Sequence, residues 1–459
     1  MTRFILFILA LSLATSCSRV PEQECPSSAI VNRIHSRVEW YGNNPDSEVQ
    51  SFIQCLIDRE LTADSAIQIS LLNNPKIQAF FEELGIAQAN LVEAGLLTNP
   101  SFELNMRFPH KKGLTTNIEY LITTSLLDIF LIPLRTKLAA TDFEQTKLKV
   151  SNEILNLAFE VRETFYQLVA ENDKVKDIQL MEKIAHIQND IASKQIAIGN
   201  INSLDYQLSH SKFLEVKLEL LESEAEIIRL KEKLNRLLGL RNDGCLIFPD
   251  RLPEDFCDQE YDICALESIA LTNRLDLQVA RFEINRLCQM LGLKDWWTYT
   301  HLKGGVAGER DPDGTNLLGP GFSGEIPIFN YGQAARMRLI AQLRQAQDQY
   351  DVLEIQVLSE VREAHLLILT YSRILKDYQN DFLPLQENIS TSSEELYNVM
   401  GLGLDKLLDH KKLFFMGRIN FTESQKKYLV AKVKLDRALG GYLSQLLAQT
   451  ECVQEVVME

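Results

Sequence analysis

The chain has 459 residues, room for two or three domains at roughly 100–200 residues each. Apolar residues make up 46% and charged residues 24%, which supplies a packed core and excludes a disordered, low-complexity chain. With 63 acidic against 47 basic residues the net charge is −16, which argues against a nucleic-acid partner.

Arg3, the apolar run Phe4 to Leu13 and the small residues Ala14, Thr15 and Ser16 lead to Cys17. A charged start, about ten apolar residues and a small-residue exit make an export signal over 1–16, too short to cross a bilayer. A cysteine directly after that exit resembles a bacterial lipobox, with Cys17 as the acylated first residue of an anchor and equatorial segment, 17–60. Ala14 stands where leucine is usual. Ordinary cleavage nearby, leaving Cys17 as a thiol, is the other reading. No later stretch reaches 18 apolar residues, so a membrane-embedded form must be a closed β-barrel. Seven cysteines remain, at 25, 55, 245, 257, 264, 288 and 452. The odd count leaves at least one free thiol, and among Cys245, Cys257 and Cys264 one pair could bridge. No C-x-x-C or H-x-x-x-H spacing supports a metal site, and no cofactor is expected.

A helix over Thr62–Leu96 comes next, followed by two short strands, Ser101–Met106 and Asn117–Thr124. In the first of these Phe102, Leu104 and Met106 alternate with polar residues, which is a hairpin pattern. From Leu134 to Ile198 there is neither glycine nor proline, a helix on the order of 97 Å at 1.5 Å per residue. Gly199 breaks it, and a second helix runs from Ser203 to Leu238. Phe213, Val216, Leu220, Ser223, Ile227, Leu230, Leu234 and Leu237 step along that helix by threes and fours. Such a stripe is buried between paired helices, in a coiled coil or equally in an ordinary bundle.

The pattern then repeats. "EVRE" at Glu160–Glu163 returns at Glu360–Glu363, Asn73 answers Asn273, "LDIF" answers "IPIF", and "LNRLLG" at 234–239 answers "LDRALG" at 435–440. Offsets of 199 to 201 in one order indicate a duplication, 61–240 and 261–441, joined by a link at 241–260 and followed by a tail at 442–459. The second copy is expected to hold a helix over Ala265–Leu293, strands Thr298–Val306 and Gly321–Ile328, and long helices over 333–439. Pro384 and a turn at Gly401–Gly403 interrupt those helices. Four strands cannot close a barrel alone, whereas three chains of four strands make twelve.

"LTADSAIQISLLNNPKIQAFFEELGIAQANLVEAGLLTNPSFEL" (Leu61–Leu104), "AIGNINSLDYQ" (Ala197–Gln207) and "YNVMGLGLDKLLD" (Tyr397–Asp409) resemble the TolC-like outer-membrane efflux family, particularly its lipoprotein branch serving resistance–nodulation–division pumps. The resemblance covers nearly the whole mature chain. It implies a mainly α chain with a β-barrel part: a homotrimer whose 12-strand barrel in outer-membrane lipid continues as an α-helical periplasmic tunnel. It also implies a periplasmic adaptor and an inner-membrane pump as partners. Gly199, Asn200 and Ile201 at the first helical tip, and Met400, Gly401 and Leu402 at the second, take the adaptor-contact positions. Met400 replaces the usual glycine. Asp205 and Tyr397 match positions that hold the entrance shut, and Asp409 an acidic ring at the constriction. Lys406 falls where some members have a further acid.

Without the resemblance, Asp205 reads as a first-turn dipole partner and Tyr397 as a helix-surface aromatic. Gly319, Gly321 and Gly324 spell G-x-G-x-x-G, but Pro320 lies inside and no helix start follows, so the run reads as a flexible rim before a strand. No G-x-S-x-G or Cys–His arrangement supports an enzyme. The expected function is a passive conduit opened by adaptor docking; the alternative is a lipid-anchored periplasmic coiled-coil scaffold without a pore.

Overall fold

A computed structural model describes residue 33 and residues 47–110, 113–125, 128–241, 246–254, 261–297, 303–324, 328–329 and 331–443. The expected export signal, Cys17, and Cys25, Cys245, Cys257 and Cys452 lie outside the described residues. In chain order the elements are α1 (Ser47–Ile57), α2 (Ala63–Asn73), α3 (Pro75–Ala94), β1 (Ser101–Arg107), β2 (Asn117–Ser125), α4 (Asp128–Ala197) and α5 (Ser203–Leu238). Then come α6 (Ile263–Asn273), α7 (Leu275–Trp297), β3 (Lys303–Arg310), β4 (Asn316–Ser323) and α8 (Gln333–Asp377). A π-helical turn (Tyr378–Phe382), α9 (Leu383–Asn398) and α10 (Leu404–Ala438) complete the order. No helix among the described residues is long and apolar enough to cross a membrane.

The chain divides into two compact units. One comprises the described parts of Phe80–Val150 and Asp276–Val352 and contains an antiparallel sheet of order β1-β2-β3-β4. The other comprises the described parts of Pro26–Ala79, Ser151–Leu275 and Leu353–Glu459 and is helical.

In the helical unit all eight residues of the stripe on α5 are withdrawn from solvent. Val216, Ser223, Leu230 and Leu234 are buried, and Phe213, Leu220, Ile227 and Leu237 are half-buried. Val216 packs with Ile178, Met181 and Ala185 of α4 and Ile419 of α10. Each such aliphatic side chain contributes about 1.5–3 kcal/mol when fully buried.

The same unit contains a clasp. The side-chain amides of Asn73 and Asn74 donate to the carbonyls of Leu238 and Leu237 at 3.0 and 2.8 Å, and Ser70 Oγ donates to Leu237 at 2.6 Å. These bonds satisfy carbonyls that the end of α5 cannot pair internally. Gly239 closes the helix in the left-handed region, φ 71°. A Cβ there would stand 2.7 Å from the Asn73 carbonyl oxygen. At the end of α10, Gly440 (φ 71°) lies against Asn273, and Arg33 donates to the carbonyls of both. Each copy therefore brings the same two motifs together, Asn73 against Gly239 in the first and Asn273 against Gly440 in the second.

Five expectations are corrected. Thr62–Leu96 is two helices, broken at the extended Asn74, because a residue preceding proline is pushed out of the helical region. Ala265–Leu293 also breaks, at the extended Arg274, although leucine rather than proline follows there. The first long helix starts at Asp128 rather than 134, with Pro133 in its second turn, where the bond to the carbonyl of residue 129 is lost. The second hairpin is Lys303–Arg310 and Asn316–Ser323, displaced from the expected strands, whose residues 298–302 lie outside the described region. Its turn tightens to Asp311–Thr315 through Asp311 N–H to Thr315 O, 2.9 Å, with Gly314 at φ 94°. Gly319 and Gly321 therefore lie within β4, and Pro320 is tolerated because β4 is an edge strand. Of the cysteines, Cys55, Cys264 and Cys288 are free thiols, so Cys264 takes no part in a bridge.

Candidate functional site

Directly opposed residues of antiparallel strands point to one face, so the register sorts the sheet. Phe102 opposes Ile122, which opposes Val306, which opposes Pro320. Leu104, Tyr120, Gly308 and Leu318 form the next row. The Tyr120 ring fills the space a side chain at Gly308 would take, its Cζ 2.2 Å from a Cβ built there. This face is apolar, and it is exposed: Phe102 is 64%, Leu318 63% and Phe322 74% accessible.

The opposite face carries Glu103, Asn105, Asn117, Glu119 and Glu309. Asn117 donates to Glu309 at 2.8 Å and Arg107 pairs with Glu119 at 3.2 Å. The apolar side thus lies outward and uncovered, the reverse of a soluble sheet that buries its apolar side. A cavity of about 500 Å³ opens over the polar side, lined by Glu103, Asn105, Glu119, Glu309 and their neighbours. At the loop end, Thr115 N–H and Oγ donate to the Pro312 carbonyl at 2.9 and 3.0 Å and join the two hairpin turns. The edges β1 and β4 pair with no other strand of the sheet.

Two tight turns form the ends of the helical hairpins. Gly199 takes φ 77°, and its N–H and that of Asn200 donate to Ile196 O and Gln195 O. Asn202 caps α5, its side chain accepting the Asp205 N–H at 2.8 Å. In the second turn Met400 takes φ 59°, the one non-glycine residue with positive φ among those described. Its side chain is 95% exposed. Ile198, Leu204 and Val399 are also exposed, so each tip offers apolar surface.

Asp205 and Tyr397 are exposed, and neither makes a side-chain bond with another described residue. Asp409 accepts a hydrogen bond from Gln188 Nε2 at 3.0 Å, tying α10 to α4. The chain does not bring Asp205, Tyr397 and Asp409 together. Farther along α4, Asp177 is buried and pairs with Arg418 of α10 at 3.2 Å. Burial pushes its carboxyl above the usual range, Arg418 opposes the shift, and Asp173 adds to it. Sequence reading missed the Asn202 cap, which the N-x-x-D spacing could have signalled, and the Asp177–Arg418 pair, which no local pattern signals. No described group of three or more His, Cys, Asp or Glu residues could hold a metal ion.

The fold recurs in solved structures. The chain superposes on the Campylobacter jejuni CmeC outer membrane channel with TM-score 0.65 at 13% identity, covering 83% of this chain and 85% of that one. For the Vibrio cholerae outer membrane protein VceC the TM-score is 0.63 at 14% identity, covering 83% and 96%. The fold is TolC-like. A curated relative of the TolC-like chain, the cobalt-zinc-cadmium resistance protein CzcC of Cupriavidus metallidurans, is 20% identical over 396 residues, which are 83% of this chain and 90% of that protein. No protein-family model matches the TolC-like chain.

Proposed function

We propose that this protein is the outer-membrane channel component of a tripartite efflux system, a passive conduit. The observation that carries this reading is the four-stranded sheet with an uncovered apolar face and two unpaired edges. Backbone groups at an open edge cannot be left unpaired in lipid, so edges must be closed by further copies. Three copies supply twelve strands, with the Glu103–Glu309 side facing a water-filled lumen and the Phe102–Phe322 side facing lipid. The helices supply a second argument for neighbours. Beside its buried stripe, α5 carries Leu204, Leu208, Leu214, Leu218, Leu221 and Ile228, all exposed along a second line. A helix bearing two apolar lines is matched to partners on two sides.

In this reading the helices extend the barrel as a periplasmic tunnel, and acylated Cys17 adds an anchor in the outer membrane. The tips around Gly199–Ile201 and Met400–Leu402 receive a periplasmic adaptor that connects to an inner-membrane pump. Asp205 and Tyr397, unpartnered within one chain, bridge neighbouring helices at a closed entrance, and Asp409 contributes to its acidic ring. A coiled-coil scaffold without a pore would have no use for an outward apolar sheet.

Planar-bilayer recording of the purified protein tests this. Conductance is expected to be low and to rise about tenfold or more when Asp205→Ala and Tyr397→Ala are combined. Low conductance unchanged by the double variant removes the entrance assignment; absence of any channel in either protein removes the conduit.

A further inference from the structure

Residues 129–141 and 326–347 are two of several stretches of the chain without an acidic residue. They hold five basic residues: Arg135, Lys137, Arg336, Arg338 and Arg344. Each stretch follows a hairpin. The register pairs Ser125 with Lys303 and Lys303 with Ser323, so β2 and β4 end at one level of the sheet. Beyond that level comes Phe130, 74% exposed, and its counterpart Phe329, 92% exposed, with Tyr331 also exposed. Seven residues after each phenylalanine stands an exposed cation, Lys137 and Arg336. On α4 that spacing is two turns, which puts Phe130 and Lys137 on one helix face about 10 Å apart along the axis. Arg135 is paired with Asp128 at 3.5 Å. Lys137, Arg336, Arg338 and Arg344 make no ion pair with any described residue.

From these positions we propose a collar that binds the phosphate headgroups of anionic glycerophospholipids in the periplasmic leaflet of the outer membrane. It rests on the channel reading above and assigns chemistry to one rim of the barrel. The order in depth is the apolar sheet face, then exposed aromatic rings, then unpaired cations. Aromatic rings are favoured at the boundary between hydrocarbon and headgroups. The headgroup layer is about 5–8 Å deep, shorter than the step of about 10 Å from ring to cation along the helix, and the long Lys and Arg stems lean back toward the helix N-terminus across the difference. Charge complementarity decides the occupant: Lys137, Arg336 and Arg338, exposed and without an ion pair among the described residues in a chain of net charge −16, fit a phosphate plane, whereas Arg344 lies about 12 Å farther along α8 and one turn from Asp348. In a trimer the collar holds nine such cations, three from each copy.

The test reconstitutes the full-length protein into vesicles of phosphatidylcholine alone and of phosphatidylcholine with phosphatidylglycerol. Incorporation is scored by flotation, and retained lipid by mass spectrometry of the extracted particle. The native protein is expected to enter both but to retain phosphatidylglycerol preferentially, by tenfold or more, since each cation near an anionic surface contributes roughly a fivefold preference. The preference should shrink as salt rises, a measurement that needs no variant. The combined variant Lys137→Gln, Arg336→Gln, Arg338→Gln should enter both vesicles and lose the preference. Equal retention of both lipids by the native protein, or a preference independent of salt, overturns the collar while leaving the channel standing. Failure to enter either vesicle overturns the channel reading and the collar with it.

Discussion

The two helical hairpins follow one plan and meet its demands differently. In the first, α4 runs 70 residues without a break, and the tip turns on Gly199. In the second, α8 gives way at Tyr378–Phe382 to a π-helical turn, α9 starts with Pro384 near its N-terminus, and the tip turns on Met400. The π turn has a local cause. A proline cannot donate a hydrogen bond and its ring crowds the preceding turn, so widening the helix just before it avoids the clash. The extra residue aims Phe382 at α10, where its ring lies against Gly417, 2.8 Å from a Cβ built there. Similar helix length is therefore compatible with unequal regularity, and the second hairpin is where the chain concentrates its departures from regular geometry.

Substitutions can break or sharpen this contrast. The largest effect is expected at the clasps. Gly239→Ala combines a positive φ with a carbonyl 2.7 Å from the new methyl and should cost about 2–3 kcal/mol. Gly440→Ala meets its nearest atom at 3.1 Å and should cost about 1 kcal/mol less. Urea unfolding of the two variants measures the difference, and equal losses would make the clasps equivalent.

Next is Arg418→Met, which strands the buried Asp177 carboxylate and should cost about 2 kcal/mol, less than a fully buried pair because Arg418 is one-third exposed. The pH dependence has a definite sign. A carboxyl raised in the folded state favours folding below its unfolded value of 3.8, and that stability is lost as pH rises through the higher folded value. Removing Arg418 raises the folded value further, so the loss should be greater at pH 7 than at pH 5. Thermal melts at both values check this.

The smallest effects belong to the tips. Met400→Gly relieves a left-handed residue and should stabilise by up to about 1 kcal/mol, whereas Gly199→Met should cost about 1 kcal/mol. Because both turns are solvated, differential hydrogen exchange at Asn200 and Gly401 resolves changes that a global melt would hide.

Glycine placement made the long helices legible: Ser203–Leu238 is matched at both ends, because Gly199 and Gly239 are backbone stops that act locally. The first hairpin was readable to within one residue, since β1 alternates apolar and polar side chains. The second hairpin was misplaced because Gly304, Gly305, Gly308, Gly319 and Gly321 empty its strands of pattern. Gly308 has a cross-strand reason, Tyr120 lying over it, and Gly305 another, the Ile122 carbonyl, which no stretch of single-chain sequence displays, whereas a Cβ at Gly319 would meet nothing within 4 Å. Among the candidate site residues, the tip turns could be found from Gly199 and the Gly401–Gly403 pair. The two faces of the sheet emerged only from strand register.

The asparagine clasp has a consequence for how the polypeptide is made. Asn73 and Asn74 reach partners 165 and 163 positions downstream, while Arg33 must wait 407 positions for Gly440. Contacts so distant along the chain add little entropy cost per extra residue but form late. An emerging segment can close the first clasp once Leu238 is out, whereas the second waits for Gly440 at the end of the second hairpin. A product truncated between Leu238 and Gly440 is thus expected to close one clasp and leave the other open, a difference that limited proteolysis reads.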